Sequence, residues 1–311
     1  MKVELIRATR LLGVLLAMLA GVGNAHADVG LQPYVMANAA TGNLQAQTAA
    51  VTSKLEAAGF KIEGSYSPYA GAQVIIITND AMLKAAAAAK RMGGFGAVER
   101  VALTEVDGKI QISYLNPAYL AAAYQLGTDY ADVAAALKTA LGVQSTFGTK
   151  DGRTAEDLAK YHYMIGMEYF KDVYRLGTRG SHEVTVQAIE DNLKAHVGGA
   201  AFIYRLDISG TQQTLIGVSR AQVKDDAAND GHILGQMIDP NFAEKTTAYL
   251  PYEILVDGSD AVALHMRFRM AVWHPDLTMV TFGKIISSPS AIEKLLKEVV
   301  GGETKDSGGF M

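Results

Sequence analysis

Cysteine is absent from all 311 residues of the chain. Its absence excludes disulfide bonds, thiolate metal sites, haem attachment through a CxxCH motif and a cysteine nucleophile. It also excludes a lipoprotein anchor, which needs a cysteine after the leader. Stability therefore has to come from the burial of apolar side chains. With 49% hydrophobic residues, the chain has enough of them for one or two ordinary cores.

Clustered basic charge and the common catalytic motifs are also missing. The formal net charge of −4 argues against a nucleic-acid-binding surface, because phosphate backbones require clustered Lys and Arg. The sequence has no GxSxG, GxxxxGK[ST] or HExxH motif and no EF-hand loop. These absences disfavour hydrolase, kinase and dehydrogenase activity. A catalytic triad assembled from distant residues stays open.

Residues 1–27 have the order of parts of a cleavable signal peptide. A positively charged start precedes an apolar run that is too short to anchor the chain in a bilayer, and a small-x-small cleavage pattern follows. These parts are Lys2, Arg7 and Arg10; residues 11–22; and Ala25-His26-Ala27. We expect cleavage after Ala27 and a periplasmic protein with no membrane insertion after cleavage.

A first α+β module is indicated by the N-terminal pattern of helices and strands. A helix at residues 45–58 precedes a β-branched strand at 73–78 and an Ala-rich helix. Strands at residues 98–106 and 109–114 are joined by Asp107-Gly108, a type I′ turn signal. Pro117 then opens another helix at its first position, where the missing N–H has no cost.

The same order recurs in the C-terminal half, which indicates a tandem duplication. A helix precedes two strands, Ser219 can cap a following helix, and two further strands surround Asp257-Gly258, with His274-Pro275 in the place of Asn116-Pro117. These elements are predicted at residues 183–195, 200–208, 214–218, 251–256 and 260–272. We divide the chain into a signal peptide, a first module, a helical connector, a second module and a disordered tail. Their bounds are residues 1–27, 28–127, 128–180, 181–300 and 301–311.

Three segments of the first copy resemble the domain of unknown function 302 family. They are Ile77-Thr78-Asn79, the GGFGAV segment at residues 93–98, and VALTEVDGKIQISYLNPAY at residues 101–119. The resemblance covers about residues 45–125 well and about 182–287 loosely. It implies an α+β fold of two tandem two-layer modules, each with a curved antiparallel sheet, helices on one face and a TATA-binding-protein-like topology. The resemblance implies no catalytic residues and no DNA binding for this chain.

The densest group of unusual side chains lies in the connector. Residues 154–176 predict one long helix that begins at Thr154, is apolar over most of its circumference and lies buried between the modules. The candidate ligand-binding residues on it are Tyr161, His162, Met164, Met167 and Tyr169. Their simplest interpretation is a core helix whose tyrosine hydroxyls reach outward.

A metal site is the alternative interpretation of this segment. Imidazole and thioether ligands suit copper(I) or haem iron when no thiolate is available. The candidate metal ligands are His162, Met164, Met167 and His265. His265 and Met266 would face opposite sides of the predicted strand at residues 260–272, which weakens a shared site.

Arg267 and Arg269 share one face of that strand and are candidates for binding an anion. The alternative is an exposed sheet face balanced by acidic neighbours. Together these features favour a non-catalytic periplasmic protein that binds a small molecule or a protein partner, with a pocket between the modules and no predicted cofactor. The alternative function is a copper- or haem-binding redox accessory protein. The sequence leaves the ligand and the oligomeric state open.

Overall fold

The computed structural model describes residues 30–223 and 226–301, apart from the side chain of Asn241. The predicted signal peptide and, apart from Gly301, the predicted disordered tail lie outside the described residues. The described residues from Leu31 to Gly301 form one compact unit. Within the described ranges, no helix is both long enough and apolar enough to cross a membrane.

The first sheet is antiparallel, with strand order β2-β3-β4-β5-β1-β6. Its strands are β1 (Tyr34–Met36), β2 (Lys61–Tyr66), β3 (Ala72–Thr78), β4 (Glu99–Val106), β5 (Lys109–Leu115) and β6 (Ser145–Phe147). Its helices are α1 (Leu44–Ala57), α2 (Asp80–Ala88), α3 (Pro117–Ala123), α4 (Ala131–Leu141) and α5 (Ala155–Ala159). A buried 3₁₀ turn at Gly93–Gly96 precedes β4.

The second sheet is also antiparallel, with strand order β7-β11-β10-β9-β8. Its strands are β7 (Val173–Thr178), β8 (Ala201–Ile208), β9 (Gln213–Ser219), β10 (Tyr252–Asp257) and β11 (Asp260–Leu264). Its helices are α6 (His182–Lys194), α7 (Met266–Trp273), α8 (Met279–Lys284) and α9 (Ser288–Val300). A π-helix at Gly231–Ile238 and 3₁₀ turns at Val197–Gly199, Asp239–Asn241 and Thr247–Tyr249 complete it.

The two sheets share one topology. When β7 to β11 are matched in chain order with β1 to β5, both sheets have the order second, third, fourth, fifth, first. The helices agree as well, since α4 packs on α1 and α9 packs on α6. The π-helical segment takes the place of α2, and β6 and α5 are additions to the first module. The predicted α+β fold of two modules is therefore confirmed.

Local sequence explains where most helices begin. Asn43, Asn79, Asn116, Thr154 and Ser181 each accept a hydrogen bond from a backbone N–H in the first helical turn. Such caps satisfy donors that the helix itself cannot pair. The apolar stretch AQVIIIT of β3 is buried because helices cover one face of its sheet and the second module covers the other.

The modules pack around a pseudo-two-fold axis. The equivalent edge strands β2 and β8 contact each other, and Gly64 leaves no room for a side chain beside the Ile203 carbonyl. The turn Gly93–Gly96 packs on β9 and β10, while Thr247–Tyr249, which precedes β10, packs on β3 to β5. Each module thus places the segment before its fourth strand on the sheet of the other.

Aromatic and charged side chains fill this interface. Trp273 is the last residue of α7, and Tyr124 follows the equivalent helix α3; the two meet through a 3.0 Å hydrogen bond from Nε1 of Trp273 to the Tyr124 hydroxyl. Arg100 of β4 pairs with Glu253 of β10, and the Tyr204 hydroxyl donates to the same carboxylate at 2.5 Å. Because all three side chains are buried, neither charge keeps its hydration, and the pair ties the modules together.

The predicted long helix at residues 154–176 is wrong. Only Ala155–Ala159 is helical, residues 160–172 are irregular, and β7 follows. Gly166 has a φ of +85°, which an α-helix does not allow, and the apolar residues pack on different neighbours instead of along one stripe. Ile165 is 95% exposed, so the segment does not form a buried central helix.

The predicted strand at residues 260–272 is also wrong. β11 ends at Leu264, and His265 caps α7 by accepting a hydrogen bond from the Arg267 N–H. His265 is therefore the counterpart of Asn116, and His274-Pro275 is not the counterpart of Asn116-Pro117. The alternating apolar residues of this segment satisfy a helix as well, because Met266 and Met270 are one turn apart.

The first hairpin turn is the predicted one, whereas two details of the second copy differ from the prediction. Asp107-Gly108 is the two-residue turn of the first hairpin, with φ values of +50° and +74°. In the second hairpin Asp257 pairs with Asp260, so the turn residues are Gly258-Ser259. Ser219 does not cap a helix, because its hydroxyl accepts from the Ala221 N–H and lies 3.4 Å from an Asp230 oxygen.

Candidate ligand-binding cleft

A methionine-lined cleft opens on the second module. It has a volume of about 470 Å³, within the usual range for small-molecule sites. Its walls are the loop at residues 163–167, β7, the start of α7, α8 and the start of α9. The residues that line it are Tyr163, Met164, Met167, Tyr174, His265, Met266, Arg267, Met270, Met279, Phe282, Gly283, Ile285, Ile286, Pro289, Ser290 and Glu293.

The floor of the cleft comes from α7. Met266 and Met270 lie one helical turn apart and are 1% and 0% exposed. A methionine side chain has three rotatable bonds and a polarizable sulfur, so it adapts to apolar groups of different shape. The helix backbone thus fixes the position of the floor, while the methionine side chains can change their conformation.

The mouth of the cleft is apolar and exposed. Met164, Met279 and Ile286 line the cleft and are 51%, 62% and 80% exposed, and the residues that follow the two methionines in the chain, Ile165 and Val280, are 95% and 74% exposed. These five side chains are more than half of the large apolar side chains that are exposed among the described residues. Such a concentration is typical of a binding surface, since isolated exposed apolar residues are ordinary but clusters are not.

Three interacting polar side chains, Arg267, Glu168 and His265, lie at one side of the cleft. The Arg267 guanidinium pairs with Glu168, and His265 Nε2 lies 3.4 Å from the same Glu168 oxygen. His265 Nδ1 accepts from the Arg267 N–H at 3.2 Å. Because Nδ1 accepts, the neutral ring carries its proton on Nε2, which points at Glu168.

The environment of His265 favours its neutral ring. Burial lowers the pKa of the imidazole, and the nearby Glu168 carboxylate opposes that effect only in part. The Tyr174 ring packs on it at 4.2 Å between centroids. Both nitrogens are engaged, so a metal ion at His265 would have to displace either the helix cap or Glu168.

The cleft brings together four of the predicted site residues, Met164, Met167, His265 and Arg267. His265 and Met266 both line it, although the strand prediction placed them on opposite faces. The start of a helix turns the chain, so a cap residue and its neighbour can border one cavity.

The other predicted residues of the connector lie elsewhere. Tyr161 is buried and its hydroxyl donates to the Ala271 carbonyl at 2.8 Å. His162 stacks on Tyr169 at 4.5 Å and lines a separate polar depression with Arg153 and other residues. These three side chains, Tyr161, His162 and Tyr169, do not reach the methionine cleft.

Arg269 is buried in the interior and does not line the methionine cleft. Its guanidinium donates to the carbonyls of Tyr249 and Pro251 and lies over the rings of Tyr249 and Tyr252 at 4.6 and 4.8 Å. Since Arg267 is partly exposed and Arg269 is buried, the predicted shared arginine face is wrong. The helical period separates the two residues by about 200° around the axis.

The sequence analysis missed the residues of α8 that complete the cleft, Met279, Phe282 and Gly283, and Ile286 just after this helix. The only feature of the sequence that could have indicated these residues is the apolar character of a short segment after Pro275. Met266 and Met270 did carry a signal, because their spacing of four residues is helical.

The described residues contain no cluster of three or more His, Cys, Asp or Glu side chains suited to a metal ion. Comparisons with family models, with curated proteins and with solved structures found no match for this chain. The resemblance to the domain of unknown function 302 family thus stays a prediction from the quoted residues.

Proposed function

We propose that this is a non-catalytic binding protein that takes up an apolar group in the methionine-lined cleft. The observation that carries the proposal is the cleft itself, an open cavity with a buried thioether floor and an exposed apolar mouth. Covering these side chains removes apolar surface from water, which favours binding by about 25 cal/mol for each Å² buried.

We also propose that the protein is exported to the periplasm. The order of charge, apolar run and cleavage pattern in residues 1–27 supports it. The intact mass of protein recovered from the periplasm of an expressing cell tests this part, and the expected mass is that of a chain beginning at Asp28. A full-length mass, or retention in the cytoplasm, would contradict it.

Titration with the uncharged fluorescent probe N-phenyl-1-naphthylamine tests the site. Gly283 lines the cleft, and a Cβ atom there would meet nothing within 4 Å. Gly283→Phe should therefore place a ring in the cleft without disturbing its walls, and we expect the probe to bind at least about tenfold more weakly.

Gly283→Ala is the matched control, because it changes the same position but leaves the cleft open. We expect it to bind the probe as the unaltered protein does. Equal probe binding by all three proteins would place the apolar site elsewhere and would contradict the proposal.

Binding of copper(I) or haem is a second candidate function. Its support is that five thioethers line one cleft, namely those of Met164, Met167, Met266, Met270 and Met279. The engagement of both nitrogens of His265 weighs against an imidazole ligand. A visible spectrum and elemental analysis of protein purified without added metal test it, and a colourless, metal-free sample that gains no thermal stability with copper(I) or haem contradicts it.

A further inference from the structure

The internal repeat indicates what kind of partner the cleft fits. In the first module, the side of α3 that carries Ala121 lies against α5. The Gln125 side chain also donates to the Ala159 carbonyl at the end of α5, at 2.8 Å. A helix therefore covers this side of α3.

The equivalent side of α7 borders the cleft, although its methionines Met266 and Met270 are themselves buried. His265 matches Asn116 as the cap, so Met270 matches Ala121 and Trp273 matches Tyr124. The contact between Trp273 and Tyr124 across the pseudo-two-fold axis supports this alignment. Met270 lines the cleft, where the first module has its covering helix.

The neighbouring sheet edge differs between the modules in the same way. β6 pairs with the outer edge of β1, joining Tyr34 to Phe147. β7 is the counterpart of β1, and among the described residues no strand pairs with its outer edge. Tyr174 of β7 and Met270 of α7 both line the cleft, so the unpaired edge strand and the helix adjoin there.

We propose that the cleft is the docking groove for an amphipathic helix of a protein partner, which would cover α7 as α5 covers α3. The inference rests on the proposed function and names its ligand class. The helix would place apolar side chains spaced three or four residues apart in the cleft, over its floor of Met266 and Met270 and beside Phe282. The larger methionines in place of alanines provide a deeper and more adaptable floor than α3 has.

The exposed mouth favours a macromolecule over a small ligand. A small molecule seated over Met266 and Met270 has no need of Met164, Met279 and Ile286, which line the cleft and are 51%, 62% and 80% exposed. A helix lying across the cleft would cover these side chains as well, which accounts for their exposure in the isolated chain.

The test uses fluorescently labelled synthetic peptides and the full exported chain. One peptide has leucines every third or fourth position among Glu and Lys, and the other is a scrambled peptide of the same composition. We expect fluorescence anisotropy to show at least about tenfold tighter binding of the amphipathic peptide. Gly283→Phe should remove this preference, and Gly283→Ala should retain it.

The outcomes separate this inference from the proposed function. If N-phenyl-1-naphthylamine binds and Gly283→Phe blocks it while the two peptides bind equally, the helix inference fails and the proposed function stands. If neither the probe nor the peptide responds to Gly283→Phe, both fail. Flotation of the protein with phospholipid vesicles, without a peptide preference, identifies the mouth as a membrane surface and also overturns the inference.

Discussion

Glu99 shows how a single buried carboxyl group shapes the chemistry of the first module. Its Oε1 accepts from the backbone N–H groups of Arg100 and Leu115 at 2.7 and 3.1 Å, while Oε2 is buried without a hydrogen-bond partner. Burial raises its pKa to about 8, and the hydrogen bonds offset this only in part. The folded state therefore favours the protonated acid.

The pH dependence of stability follows from this shift. Because the folded pKa lies above the unfolded value, the stabilisation is complete below about pH 4.5 and is lost as the pH rises towards 8. Glu99→Gln keeps an acceptor and removes the titration. We expect urea unfolding to show a smaller loss of unfolding free energy between pH 5 and 9 in this variant, by on the order of 1–4 kcal/mol. Identical pH profiles would contradict the assignment.

At the scale of elements, helix caps and turn residues account for much of the secondary structure that could be predicted from the sequence. Asn79, Asn116 and Thr154 mark helix starts that the structure shows, and Asp107-Gly108 marks the first hairpin turn. These signals act within a few residues and depend little on tertiary contacts. Most of the first module could therefore be predicted from its sequence.

The connector and α7 could not be predicted, because their apolar periodicity fits more than one structure. The apolar pattern of residues 154–176 is consistent with a helix, but α5 ends at Ala159 and Gly166 has a positive φ. The segment after Leu264 alternates like a strand, but its histidine acts as a cap. Histidine is a less common cap than Asn, Asp, Ser or Thr, so the start of α7 had no clear signal. The cleft was missed with it, apart from Met164, Met167, His265 and Arg267.

The role of His265 as a cap gives a prediction at this scale. His265→Asn gives α7 the same cap residue that α3 has at Asn116. We expect the melting temperature of this variant to stay close to that of the unaltered protein. His265→Ala removes the acceptor of the Arg267 N–H and should lower the free energy of unfolding by about 1 kcal/mol. Equal losses in both variants, measured by thermal unfolding, would show that capping is not the role of this side chain.

At the scale of the whole molecule, the exchange of turns between the modules makes their stabilities interdependent. Gly94 belongs to the first module, yet a Cβ there would lie 2.5 Å from a methyl group of Leu255 in β10. The buried Arg100–Glu253 pair also joins β4 to β10. We therefore expect the two modules to unfold in one transition.

Gly94→Val tests this coupling. The added side chain should lower the free energy of unfolding by about 1–3 kcal/mol through overpacking. Amide hydrogen exchange should show reduced protection in β9 and β10 as well as in β3 and β4. The control is Gly283→Ala, which is open to solvent and should leave both sheets unchanged. Loss of protection in the first sheet alone would contradict the coupling.

The central claim is that the methionine-lined cleft is the binding site, and ¹³C-methyl NMR of the methionines tests it most directly. On addition of N-phenyl-1-naphthylamine, we predict shifts of the methyl signals of the cleft, those of Met164, Met167, Met266, Met270 and Met279. Met36 and Met82, buried in the first module, should stay unchanged and serve as internal controls. Unchanged cleft signals in a sample that binds the probe would contradict the claim.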